Sequence, residues 1–320
     1  MQAAKKSIIT CALTGGVHTP SMSPGLPVTA AEMVEQGRAA ADAGAAILHL
    51  HARDSRDGRP VFDPEAYRPF VTALAHETDA VINITTGGGL GMTVEQRLAA
   101  AMEFEPELAS LNMGSLNFNF SAAAAKERQW LHEWERPFVL ASEGAVFANS
   151  FDQIVNTLEL LGRQRGCRFE FECYDVGHLY NLAHIVDRGL AEPPFLIQAI
   201  FGILGGIGPD VENLAHMVSI ADKLFGGDYL LSAFGAGRHQ MTFATASALM
   251  GGSVRVGLED NLYIRPGELA RDNAEQVTKI RRLLEELGKT VATPEEARVM
   301  LHLKGADQVK IAEPVAPPFP

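Results

Sequence analysis

Eight short runs rich in apolar and β-branched residues alternate with longer stretches of helical periodicity, and no other sequence feature restricts the fold as much. The runs span residues 7–13, 46–51, 80–85, 108–113, 168–174, 195–201, 229–233 and 253–258. Helix starts fall in the gaps. Thr29 with Glu32 reads as a capping box, Asp63 precedes Pro64, and Thr293 precedes Pro294 with Glu296 three residues on. The pattern predicts parallel strands joined by helices, and eight such units favour a closed (β/α)8 TIM barrel with a C-terminal extension. An open doubly wound sheet is the rival, because alternation by itself does not decide closure. The barrel is expected to occupy residues 1–312, with a Pro-rich tail at 313–320 whose prolines cannot continue a helix. The longest interruption, residues 117–150, holds both tryptophans (Trp130, Trp134) and is expected to cover the barrel mouth or meet another subunit.

Composition narrows the function. A chain of 320 residues can form one such barrel, and its formal net charge of −12 works against nucleic acid or an anionic membrane surface as a partner. Its three cysteines, Cys11, Cys167 and Cys173, form no CxxC pair or even-numbered framework, which suits a reducing compartment and predicts a cytoplasmic protein. The longest apolar run, residues 195–207, contains Gln198 and three glycines and is too short and interrupted to span a bilayer.

Barrel strands are buried on both faces, so polar residues near their C-terminal ends are informative. Alternation puts Ile47, His49, His51 and Arg53 on one face of the second run, Asn83 with Thr85 in the third, and Ser110 with Asn112 in the fourth. Glu170 and Glu172 share a face in the fifth run, and Arg255, Gly257 and Glu259 in the eighth. A His-x-His pair on one strand face can reach a single ion, and closure would bring Glu259 within one strand of it. Two imidazoles and a carboxylate with open positions make a catalytic rather than a structural metal set. Glu170 and Glu172 read equally as carboxylates neutralised by Arg255 or Arg53 and as groups with a direct chemical role.

Two glycine-rich loops are further candidates. The stretch from Thr85 through Gly87 and Gly88 offers donors suited to an oxyanion or carboxylate. The loop holding Gly205 and Gly206 could admit a phosphate or pantetheine chain to the backbone, although it has no Walker or G-x-G-x-x-G spacing. His18 and His239 lie in loops near the presumed mouth, whereas the remaining histidines read as structural or solvated.

The sequence resembles the β-keto acid cleavage enzyme family over almost its whole length. The matching stretches include residues 9–15 and 26–29, His49-Leu50-His51-Ala52-Arg53-Asp54, Thr85-Thr86-Gly87-Gly88, residues 111–118 and 235–238, and the run from Gly251 through Arg255 and Glu259-Asp260 to Asn261. The resemblance implies a zinc-dependent barrel, usually a homotetramer, that converts a β-keto acid and acetyl-CoA into acetoacetate and a new acyl-CoA. It also implies His49, His51 and Glu259 as metal ligands and Arg255 and Asp260 as the substrate-activating pair. Thr85 would supply the hydroxyl paired with that aspartate, and Ser110, Asn112 and Glu172 would line the pocket; Gly205 and Gly206 stay cofactor-binding candidates on the loop reading alone.

Family members that take an amino-bearing chain have an acid shortly after the first strand, where this chain has Val17 beside His18. Valine cannot pair with an ammonium in a poorly hydrated pocket, so a neutral or apolar chain is expected. Two alternatives stay open: a metal-dependent barrel lyase or aldolase without CoA transfer, and a noncatalytic acyl-CoA or metabolite binding protein.

Overall fold

The structure, a computed structural model, describes residues 6–89 and 92–311. The expected tail at 313–320 lies outside the described residues. Eight parallel strands form a closed barrel: β1 (Ile9–Ala12), β2 (Ile47–Leu50), β3 (Val81–Ile84), β4 (Leu108–Asn112), β5 (Arg168–Cys173), β6 (Phe195–Phe201), β7 (Tyr229–Gly235) and β8 (Ser253–Val256). Closure runs through β8 against β1, with Arg255 opposite Thr10. The fold is therefore the TIM barrel, and the open sheet is ruled out.

Helices follow where the sequence places its start signals: α1 (Ala30–Ala43), α2 (Pro64–Glu77), α3 (Val94–Phe104), α4 (Glu135–Ala141), α5 (Phe151–Thr157), α6 (Val176–Asp187), α7 (Val211–Phe225), α8 (Gln240–Leu249), α9 (Asn273–Glu286) and α10 (Pro294–Leu301). Thr29 and Glu32 form the capping box of α1, Asp63 caps α2, and Thr293 with Glu296 caps α10. Each such cap satisfies amides that the first helical turn leaves without intrahelical partners.

The strand faces divide the work. Outward residues such as Cys11, Leu48, Ile82, Leu111, Phe171, Ile197, Leu231 and Val254 join the large core between sheet and helices. Inward residues change character along the axis. At the N-terminal end Ile8, Ile47, Val81, Leu108, Leu196 and Leu230 form an apolar plug with Ala297 and Leu301 of α10, so this helix closes the bottom of the barrel. The buried Arg298–Glu107 pair, at 2.8 Å, fastens α10 to the β3–β4 side. Above the plug the interior turns polar, with Thr10, Asn83, Ser110, Glu170, Gln198, Ser232 and Arg255 all buried. An apolar bottom and a polar upper half confine reactive groups to the C-terminal mouth, the face where barrel enzymes place their sites.

Residues 117–150 form a cover over that mouth. Its two ends pair as a short antiparallel ribbon, Leu116–Asn117 with Val146–Phe147, and α4 lies between them. The cover reaches three other loops. Asn119 bridges to Leu204 after β6, Glu135 binds Ser21 after β1, and the Trp134 indole donates to the Asp57 carbonyl after β2. Of the two roles expected for this stretch, covering the mouth is the one the fold displays. Among the described residues no helix is long and apolar enough to cross a membrane.

Candidate active site

Register carries the polar side chains to one place. His49 on β2 is aligned with Ala12 on β1 and Asn83 on β3, and Glu172 on β5 with Asn112 on β4 and Gln198 on β6. His51 follows β2 directly, and Glu259 follows β8, where its amide donates to the Ala12 carbonyl at 3.1 Å. The strand expected over residues 253–258 ends at Val256, so Glu259 reaches the site from a turn rather than by strand alternation. The two imidazole Nε2 atoms stand 3.2 Å apart, and both face Glu259 Oε1, at 3.6 Å from His49 and 3.4 Å from His51. The other carboxylate oxygen of Glu259 is buried without a hydrogen-bond partner.

Two nitrogens and a carboxylate converging this closely, with an orphaned oxygen beside them, are a donor set that fits a divalent metal ion; all three ligand atoms lie within 4.8 Å of one another. Protonation states agree with that use. Burial holds His49 well below the usual imidazole range, leaving a neutral ring able to coordinate. Burial pushes Glu259 up, but His51, His49 and Arg255 outweigh it and hold the carboxyl well below its ordinary value.

Arg255 is the hub of the charges. It is 2 % exposed, and its guanidinium donates to Glu259 Oε1 at 2.8 Å, to Asp260 at 2.9 and 3.1 Å, to Glu170 at 2.9 Å and to Glu172 at 3.3 Å. Burial opposes its charge, yet Asp260, Glu259, Glu170 and Glu172 together raise its pKa well above normal. Burial likewise lifts Asp260 to about 7 and Glu172 to about 8, against the pull of Arg255. One cation cannot neutralise four buried carboxylates, so the pocket favours a bound dication and a proton held on an acid.

The neutralising role left open between Arg255 and Arg53 falls to Arg255. Arg53 leaves the barrel face because residues 52–53 pair antiparallel with 60–61, which ends the alternation begun on β2. Its guanidinium binds Thr14 Oγ1 at 2.6 Å and the carbonyls of Thr14, Gly15, Gly58 and His18 at 2.8 Å each, clamping the loop after β1. Gly15 in that loop has φ +59°, and a methyl group added there would meet the Glu259 side chain, with Cδ at 2.9 Å. The loop therefore supplies the floor on which Glu259 lies. Val17 is half-buried in the same loop, and the His18 Nδ1–H donates to the Leu258 carbonyl at 2.9 Å, with burial holding this ring down to about 4.

Other candidates are placed differently from the expectation. The Thr85 hydroxyl accepts the Gly87 amide at 3.0 Å, whereas Asp260 gives both oxygens to Arg255; among the described residues no hydrogen bond joins Thr85 to Asp260. Thr86 donates to the Ser110 carbonyl at 2.6 Å, and Gly88 packs on Arg97, so the glycine loop is held by its own chain. Ser110 Oγ and Asn112 Oδ1 are buried inside the barrel without partners, as pocket-lining polar atoms would be. At Gly205, φ +118°, a side chain would strike the Asn117 carbonyl, and at Gly206 it would stand 2.7 Å from the Tyr174 carbonyl. Gly205 is explained by the close approach of the cover and Gly206 by that of the chain leaving β5, packing reasons that sequence spacing did not reveal.

Sequence reasoning also passed over Tyr174 and Phe234. Each continues the inward alternation of its strand, Tyr174 after Glu172 and Phe234 after Ser232, and each packs with Leu116 and Ile200 at the mouth. Phe234 lies under the guanidinium of Arg255, 4.9 Å from its carbon to the ring centre.

A closed barrel with a metal-type donor set, an arginine and an aspartate at its C-terminal mouth has the arrangement of an enzyme site suited to a divalent cation beside developing negative charge. A sequence profile of the beta-keto acid cleavage enzyme family matches residues 6–303. The chain belongs to that family. It is 53% identical over 306 residues, 96% of this chain and 98% of that protein, to a 3,5-dioxohexanoate:acetyl-CoA acetone transferase of Paraburkholderia graminis. A 3-keto-5-aminohexanoate cleavage enzyme of Acetoanaerobium sticklandii is 33% identical over 93% of this chain and 98% of that protein. Among solved structures, apo ObcA aligns with TM-score 0.73 and 21% identity over 88% of this chain and 66% of that one, a likeness of fold.

Proposed function

We propose that this member of the family condenses a neutral β-keto acid with acetyl-CoA, yielding acetoacetate and the acyl-CoA of the remaining chain. The observation that carries the reading is the convergence of His49, His51 and Glu259 beside Arg255 and Asp260. The 53% identical relative, named for a 3,5-dioxohexanoate substrate, points to a β-keto acid whose chain bears no charge, as does Val17. Zinc is the proposed ion, held by His49, His51 and Glu259; a divalent ion there supplies Lewis-acid stabilisation of negative charge on a keto oxygen. The protein is proposed to work in the cytoplasm as a homotetramer.

In this reading Arg255 keeps a fixed positive charge against the developing enolate, and it cannot swing away because four carboxylates grip it. Asp260, lifted to about 7, takes the α-proton. The α-carbon then forms a bond to the acetyl carbonyl and the CoA thiolate leaves. That thiolate attacks the original 3-keto carbonyl, the bond between it and the α-carbon breaks, and Asp260 returns its proton to the released acetoacetate carbanion. Thr85 and the backbone of Gly87 and Gly88 border the substrate carboxylate, with Ser110, Asn112 and Glu172 on the adjoining strands β4 and β5. The loop of Gly205 and Gly206, with Leu204 exposed, is the proposed CoA contact.

Incubating the zinc-loaded protein with a panel of β-keto acids, with and without acetyl-CoA, tests this. Acetoacetate and a new acyl-CoA that both require acetyl-CoA support it. Free acid or aldehyde formed without acetyl-CoA would establish the lyase alternative instead.

A further inference from the structure

We propose that Tyr174 is a specificity-determining residue, its hydroxyl donating a hydrogen bond to an uncharged oxygen on the acyl chain of the substrate within an otherwise apolar wall. The proposal rests on the β-keto acid reading and goes further, to the chemistry of the chain itself.

Three observations carry it. First, Tyr174 directly follows β5, two residues beyond Glu172, and it packs with Ile200 and Phe234 on the inward faces of β6 and β7. Phe234 in turn lies under Arg255, which ties this wall to the charged centre. Second, the side chain is 7 % exposed, and among the described residues its hydroxyl makes no hydrogen bond. Phe118 meets its ring edge-on at a centroid distance of 6.0 Å, and Phe147 meets Phe118 at 5.6 Å. Neither phenylalanine can satisfy a phenol, so the hydroxyl has a partner only when ligand or water is in the pocket. Third, the residue is fixed in place. Its amide donates to His178 Nδ1 at 3.2 Å and its carbonyl accepts from Ile207 at 2.7 Å, so the donor is preorganised.

The chemistry selects the ligand. Burial, with Glu172 next in effect, raises the phenol well above its ordinary pKa, so it stays a neutral donor. An apolar wall with one neutral donor suits a carbonyl or hydroxyl on the chain and offers no counter-charge to an ammonium or a carboxylate. A chain oxygen buried there without that donor would be left unpaired.

The test compares a 3,5-dioxo acid with 3-oxohexanoate, both with acetyl-CoA, in the wild-type protein and in Tyr174→Phe, which keeps the ring and its packing. The expected result is a fall in kcat/KM for the 3,5-dioxo acid of about ten-fold, the size of one lost hydrogen bond to a buried group, with 3-oxohexanoate nearly unaffected. An equal loss on both acids marks Tyr174 as a purely structural residue and overturns the proposal, as does no change on either. Failure of the wild-type protein to make acyl-CoA from either acid overturns the β-keto acid reading itself, and the proposal with it.

Discussion

Gly15 lies directly beneath the side chain of Glu259: at φ +59°, its bare Cα leaves the space into which the carboxylate arm folds, and Arg53 holds that turn by its carbonyls. The geometry of the candidate metal triad thus depends on a loop that supplies none of its side chains.

Glu259→Gln removes the anionic ligand while preserving shape. Metal content after dialysis, read by elemental analysis, should fall, with affinity reduced more than about 100-fold, above the range for partners one shell further out. Gly15→Ala should lower metal content too, through strain and displacement of Glu259. Full occupancy in both variants would remove Glu259 from the metal site.

Val17→Asp tests the chain preference. An unpaired carboxylate beside an apolar substrate chain should lower kcat/KM for uncharged β-keto acids by about ten-fold or more. Faster turnover of short apolar β-keto acids would contradict the assignment of Val17 to the chain pocket.

The cover is pinned at Glu135, which is fully buried and accepts from the Ser21 amide and hydroxyl at 3.0 and 2.7 Å and from the His132 amide at 2.9 Å. Glu135→Ala should leave those donors unpaired, costing about 1–3 kcal/mol locally. Hydrogen exchange should accelerate across residues 117–147 before the barrel strands change; uniform acceleration would mean that the cover opens only with the whole fold.

The cysteine thiols should be silent. Cys11, Cys167 and Cys173 are buried, and burial raises all three, Cys167 to about 12. Thiolate is the reactive form, so a thiol reagent at pH 8 should label none in the native protein and all three after denaturation. Rapid native labelling at any of them would expose local opening.

The barrel and the clustering of His49 with His51 were legible in the sequence for physical reasons, whereas Glu259 joins them from a turn past the end of β8. Burial on both faces makes each strand an apolar run, and two histidines at spacing two share a face as long as the extended backbone continues, which it does as far as His51. Helix caps were equally local, as Thr29 and Thr293 confirm. What escaped detection depends on chain returning from a distance. Arg53 turned away because an antiparallel pair interrupts the alternation, and the need for glycine at 205 comes from Asn117, far back in the chain. Tyr174 and Phe234 followed the same inward rule as the charged residues, but an aromatic at a strand end looks like ordinary core until the packing is known.

The cover reaches the loops after β1, β2 and β6 while the reactive groups stay on or beside the barrel strands. Phe118 and Phe147 belong to the cover, and Arg255, Asp260, His49, His51 and Glu259 do not. The wall around Tyr174 is thus built jointly by the cover and the barrel, while the charged centre is built by the barrel and its loops alone. Exchanging residues 117–150 alone between relatives should shift a chain preference only in part, since Val17 and Tyr174 stay behind, and should leave the reaction itself in place.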